Sequence, residues 1–146
     1  MSPEEMAKEL GLTFPEPKPG YLNPCAKAGN LLFTSGQTSD LKGKLGAGLT
    51  VEQGYEAAKD CAVKVLRAVH ARQGSLDGLR VIKLLGCVNS TLEFTDQHLV
   101  INGASDLLHK IFGKETDGFH ARSALGFAAL PTNAAVEIEA IFEVKA

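Results

Sequence analysis

The chain of 146 residues predicts an α/β protein of the α+β kind, one sheet with two helices on a single face. Three observations carry that prediction. Near the C-terminus, Val136, Ile138, Ala140, Phe142 and Val144 alternate with Glu137, Glu139, Ile141 and Glu143. A period of two is that of a strand with one buried face. Val51, Tyr55, Ala58, Ala62, Leu66 and Val69 recur at steps of three and four, as do Leu99, Val100, Leu107, Leu108, Ile111 and Phe112. Each set makes one apolar helical stripe. Arg80 to Val88 (RVIKLLGCV) is almost continuously apolar, as expected inside a sheet. Helices on one face leave the other face uncovered, and association with further copies is the usual remedy.

Size and composition bound the rest. With 45% hydrophobic residues the chain can build one core, and residues 1–146 are expected to form a single domain. Fifteen Lys+Arg stand against seventeen Asp+Glu without a basic run, so a nucleic-acid partner is not predicted. Cys25, Cys61 and Cys87 are odd in number and far apart, which predicts free thiols and a reducing compartment. No stretch has the length of a membrane span, and the acidic start (MSPEEMAKEL) lacks the apolar segment of a secretory signal. A cytoplasmic protein without a membrane partner is expected.

In chain order, Ser2-Pro3-Glu4-Glu5 combines a serine N-cap, proline at the first helical position and glutamate three after the cap, and Leu10-Gly11 ends this short helix. Phe14 to Gly20 holds three prolines and reads as an extended connector, so residues 1–20 form a helix and a tether. Cys25–Lys27, a turn at Gly29-Asn30 and Leu31–Thr34 predict a hairpin closed by Ser35-Gly36-Gln37. Gly43, Gly46 and Gly48 predict a mobile loop, and GKLGAG lacks the spacing of a phosphate loop. Thr50 to Gln53 forms a capping box for the first long helix, which stops at Gly74. Asp96 is placed to cap the second, which ends at Gly113. A polar loop then leads to Arg122, and Arg122 to Val144 reads as two strands joined at Pro131-Thr132-Asn133, a hairpin.

Few chemistries suit these residues. His98 and His109 stand eleven residues apart on one helix, about 16 Å of rise, and cannot share an ion; no protein-built metal site is predicted. Ser35 in TSGQ is not a nucleophile elbow, and Cys61 and Cys87 read as small core hydrophobes. Arg122, flanked by Ala121, Ser123 and Ala124, reads either as a solvated strand-end arginine or as a bidentate grip on a carboxylate or phosphate. Ser35, Asn102 and Glu137 also lie at element ends or on strand faces not claimed by the core. A glutamate near such an arginine can orient water for proton transfer.

Three segments carry a resemblance: GNLLFTSGQ (29–37), VINGASDLL (100–108) and ARSALGFAALP…VEIEAI (121–141). In order and spacing they resemble the reactive intermediate deaminase family (RidA, YjgF-like, also named endoribonuclease L-PSP-like), over roughly residues 20 to 146. GCVNS…FTDQHLVINGASDLL with HARSALG is similar to a RidA-like subgroup. The resemblance implies a chorismate-mutase-like fold, a homotrimer with clefts between subunits, and no cofactor. It implies hydrolysis of enamine/imine intermediates to 2-keto acids and ammonia, with a non-catalytic carboxylate-binding trimer or an endoribonuclease as alternatives. Arg122 would bind the carboxylate and Glu137 would position water, with Ser35 and Asn102 lining the cleft. The family's active-site tyrosine corresponds to Leu22, with Tyr21 one residue away, and its cysteine two after the arginine corresponds to Ala124.

Overall fold

The computed structural model describes residues 1–146, and its sheet runs β1-β2-β8-β6-β7, with β3 added beside β2 on β8. The strands are β1 (Cys25–Ala28), β2 (Leu31–Thr34), β3 (Gln37–Thr38), β6 (Leu79–Asn89), β7 (Ala121–Phe127) and β8 (Val136–Val144). A two-stranded parallel pair, β4 (Lys44–Leu45) and β5 (Gly48–Leu49), stands apart from it. Helices α2 (Val51–Gln73) and α3 (Gln97–Phe112) cover one face, and α1 (Pro3–Glu9) lies at their end. Leu32, Val81, Leu84, Val88, Ile138 and Phe142 fill the helix-facing side, where Val65, Leu66, Ile101 and Leu108 meet them.

Local chemistry explains most element boundaries. Ser2 and Glu5 satisfy each other's backbone amides at the start of α1, and Thr50 and Gln53 do so for α2. Helix α2 ends on Gly74 in the left-handed region. At α3 the expectation holds only by position: Asp96 precedes the helix but makes no side-chain cap, and its carbonyl accepts from Leu99 and Val100 instead. Leu99, assigned to the buried stripe, is exposed, because it falls on the side of α3 turned from the sheet.

The expected C-terminal hairpin is not formed. Strand β6 lies between β7 and β8, parallel to β7 and antiparallel to β8. The Pro131 turn does exist, with Thr132 and Asn133 both left-handed (φ 58° and 59°). It carries the chain across β6 rather than back along β7. An apolar run with a turn at its centre specifies reversal but not the neighbour, and the more apolar β6 takes the sheet's interior.

The glycine loop is held rather than mobile. Asn89, fully buried, donates to the carbonyls of Gly43 and Ala134, while its Oδ1 accepts from Lys44 Nζ at 2.7 Å. Leu45 is wholly buried between them. Cys61 is buried as expected, whereas Cys87 is only partly so, since it faces the side of the sheet without helices. That side presents Phe33, Leu85, Leu125 and Ile141 among Lys83, Glu137 and Glu139. No helix is long and apolar enough to cross a membrane.

Candidate functional site

Arg122 is set by two neighbours, one in the sheet and one in the helix layer. On β7 it pairs with Leu84, a core residue, so its side chain leaves the sheet on the helix side and reaches α3. There Nη1 donates to Asn102 Oδ1 at 2.8 Å and to Ser105 Oγ at 3.2 Å. Asn102 and Ser105 are three apart and share a helix face. The helix can come this close because of Gly103, where a Cβ would fall 2.0 Å from the Tyr55 carbonyl of α2. Any side chain there would push α3 away and dissolve the Arg122 contacts.

Ser105 is itself fixed from behind. His120 Nδ1 lies 2.7 Å from the Gly118 carbonyl and must donate to it, which leaves Nε2 as an acceptor. Ser105 Oγ, 2.9 Å from Nε2, therefore donates to His120 while accepting from Arg122. Burial lowers the His120 pKa, the Gly118 carbonyl opposes that, and His109 and Arg122 lower it further. The imidazole is neutral near pH 7, and a neutral ring is what this chain of donors requires.

In front of Arg122 opens a cavity of about 230 Å³. His109 lines it from α3, its ring 5.2 Å from that of His120. Burial lowers the His109 pKa; Asp106 raises it, and Lys114 and Arg122 lower it. Lys114 stands on a π-helical turn (Gly113–Asp117) that follows α3, and exposed Phe119 closes the rim. The one carboxylate on the wall, Asp106, accepts from the Tyr55 hydroxyl at 2.6 Å, a bond that pushes the Tyr55 pKa up to about 12.

Glu137 lies elsewhere. It pairs with Cys87 on β6, three residues along from the Leu84 opposite Arg122, so the two side chains leave opposite faces of the sheet. Its carboxylate occupies the space that Gly36 leaves empty, where a Cβ would stand 2.1 Å from Oε2. Ser35 is beside it in the chain, and its hydroxyl donates to the Asn23 carbonyl at 2.7 Å. That bond ties the segment of Tyr21 and Leu22 to the same place, with both side chains exposed in a bend before β1.

The predicted residues thus fall into two groups within one chain, Arg122 with Asn102 and Glu137 with Ser35 and the Leu22 bend. Sequence reading missed Ser105, His109, Lys114 and His120. Ser105 and His109 could have been found from Asn102, since positions 102, 105 and 109 follow one helical face. The pairing of His109 with His120 spans a turn whose shape no spacing rule encodes. No group of three or more His, Cys, Asp or Glu converges in a way that could hold a metal.

Comparison with known proteins gives the same fold and order. A family described as Endoribonuclease L-PSP matches residues 13–144. Protein TCP17 of Trypanosoma cruzi is 42% identical over 147 residues, covering 94% of this chain and 91% of that one. The solved structure of an Agrobacterium tumefaciens protein of unknown function is similar at a TM-score of 0.87 and 43% identity, over 99% of this chain and 92% of the other. A Shewanella oneidensis protein carrying a provisional endoribonuclease name reaches a TM-score of 0.88 at 29% identity, over 98% and 99%.

Proposed function

The chain belongs to the endoribonuclease L-PSP family, which includes the RidA-like proteins, and from that premise we propose that it is a hydrolytic deaminase of reactive enamine/imine intermediates. The observation that carries this reading is the aimed guanidinium: Asn102 and Ser105 hold one edge of Arg122 while the rest faces a cavity of small-molecule size. A planar fork so oriented suits the carboxylate of a 2-imino acid. The reaction adds the oxygen of water to the imine carbon and breaks the C–N bond, giving a 2-keto acid and ammonia. Glu137 accepts a proton from the attacking water, in a cleft formed where its face of one subunit meets the Arg122 cavity of the next. A homotrimer closes three such clefts.

One observation favours a second reading, a trimer that binds small carboxylates without turning them over. Leu22, at the position of the family's tyrosine, offers no hydroxyl, and Tyr21 is fully turned to solvent. The endoribonuclease reading has less support, since the net charge is −2 and the cations of the cavity form no stripe along the surface. The discriminating experiment generates 2-iminobutanoate in situ and follows 2-ketobutyrate release with and without the protein. Release above the spontaneous rate, lost in Arg122→Ala, is expected for the deaminase. An unchanged rate alongside measurable 2-ketobutyrate binding would select the carboxylate-binding reading.

A further inference from the structure

The cavity in front of Arg122 is lined by two cations at separate points rather than one. Lys114, on the π-helical turn, and Arg122, on β7, both line it, and neither has a carboxylate within ion-pairing distance. His109 stands between the influence of the two, since each of them disfavours its protonation. Asp106 offsets part of this charge from the α3 wall, but it pairs with neither cation and its Oδ2 accepts from the Tyr55 hydroxyl. Two unpaired cations at separate points of a 230 Å³ space define a site with two anionic poles. The turn that carries Lys114 is built for its position: Gly113 is left-handed, and Thr116 Oγ1 donates back to the Phe112 carbonyl.

We propose that the ligand of this cavity is a dicarboxylate, a 2-imino or 2-keto acid whose second carboxylate is held by Lys114 beside His109. The inference rests on the reading that Arg122 grips the 2-carboxylate, and names the substrate class of that site. The reactions able to supply such a substrate are those that leave an imine beside the carboxylate of an acidic amino acid. A monocarboxylate of equal length would leave Lys114 facing an apolar chain end and would gain nothing from it.

Calorimetric binding of 2-ketoglutarate and 2-ketobutyrate to wild type, Lys114→Ala, Lys114→Arg and Arg122→Ala tests the proposal, with thermal melting to establish that each variant is folded. Wild type should prefer the diacid by about tenfold or more, as expected for an added charge-assisted contact. The ratio should fall to near one in Lys114→Ala and recover substantially in Lys114→Arg. With labelled histidine, the NMR titration midpoint of His109 should rise in the presence of 2-ketoglutarate and not of 2-ketobutyrate. Equal affinities in wild type, or a preference that survives Lys114→Ala, would overturn the dicarboxylate inference. If 2-ketobutyrate then still bound in an Arg122-dependent way, the carboxylate site itself would stand. Binding of neither acid to wild type would overturn both.

Discussion

At the scale of single residues, Arg122 is more confined than a strand-end arginine needs to be. Asn102 and Ser105 accept from it, and Ser105 is locked in turn by neutral His120. Arg122→Ala should therefore cost on the order of 2–4 kcal/mol of carboxylate binding, a factor of roughly 30 to 1000. Arg122→Lys should recover little of it, because an ammonium cannot satisfy Asn102 and Ser105 while offering a fork to the ligand. Calorimetry with 2-ketobutyrate on both variants checks this, and undiminished binding to a folded Arg122→Ala would return the residue to a solvated strand end. The sequence marked Arg122, Asn102 and Glu137 through motif, but it offered Ser105 only as a helix-face neighbour of Asn102 and gave no sign of its link to His120. Their roles depend on a hydrogen-bond chain that closes only when α3 and the loop after it are in place. Leu22 and Tyr21 sit in an exposed bend before β1 rather than within a strand. Leu22→Tyr should then raise imine turnover at constant fold, since the exposed bend is tied to Ser35 and can present a hydroxyl beside Glu137. Unchanged turnover in Leu22→Tyr would remove this bend from the cleft.

At the scale of elements, local signals succeeded at the two capping boxes, gave only the position of α3 at Asp96, and failed where the decision was tertiary. Both capping boxes and the stop of α2 at Gly74 were readable, because the donors and acceptors lie within a few residues of each other. The placing of β7 beyond β6 was not, since strand order depends on which apolar run gains most from burial on both faces. The glycine loop was misread for a related reason: its anchor, Asn89, is more than forty residues away, as the 46-residue separation from Gly43 shows. Asn89→Ala should destabilise the fold by about 2–3 kcal/mol, the cost of stranding buried carbonyls and the Lys44 ammonium, measurable by urea unfolding. A loss below half that amount would mean water replaces the amide and the loop is not held by it. Helix α1 gives a pH-dependent case. Burial works against the Glu4 charge, but hydrogen bonds from the Leu76 amide, His70 and Ser75 outweigh it, and the pKa falls below its ordinary 4.5. A depressed carboxyl stabilises the fold above that ordinary value and loses its contribution as pH falls through the folded one. The melting-temperature gap between wild type and Glu4→Gln should accordingly be widest above pH 5 and close toward pH 3. A gap that stays constant with pH would assign it to packing.

At the scale of the whole molecule, the uncovered face of the sheet and the placing of Arg122 and Glu137 pose one question. Helices cover one face, and the other presents Phe33, Leu85, Leu125 and Ile141 to solvent in the single chain. Arg122 and Glu137 leave opposite faces, so no rotamer change within one protomer brings them to a common substrate. Two assemblies of function remain: either Glu137 has no part in the Arg122 site, or the site is completed by a neighbouring subunit. Mixed oligomers separate these. Arg122→Ala and Glu137→Ala chains should each be inactive alone, yet a cleft that draws its arginine from one subunit and its glutamate from the next can be intact in a mixture. Random assembly of equal amounts should restore about a quarter of wild-type turnover, one half for each correct contributor. Co-expressing the two variants with different tags and purifying the mixed species removes the inactive homotrimers, so one cleft in each mixed trimer is intact and imine hydrolysis should rise to about a third of wild type. The same sample in sedimentation should give about three times the 15.5 kDa protomer mass. Full turnover by Glu137→Ala alone would exclude Glu137 from the chemistry, whereas two inactive variants whose mixed trimers recover no turnover would overturn the shared cleft, because the opposite-face geometry bars both residues from one subunit's site.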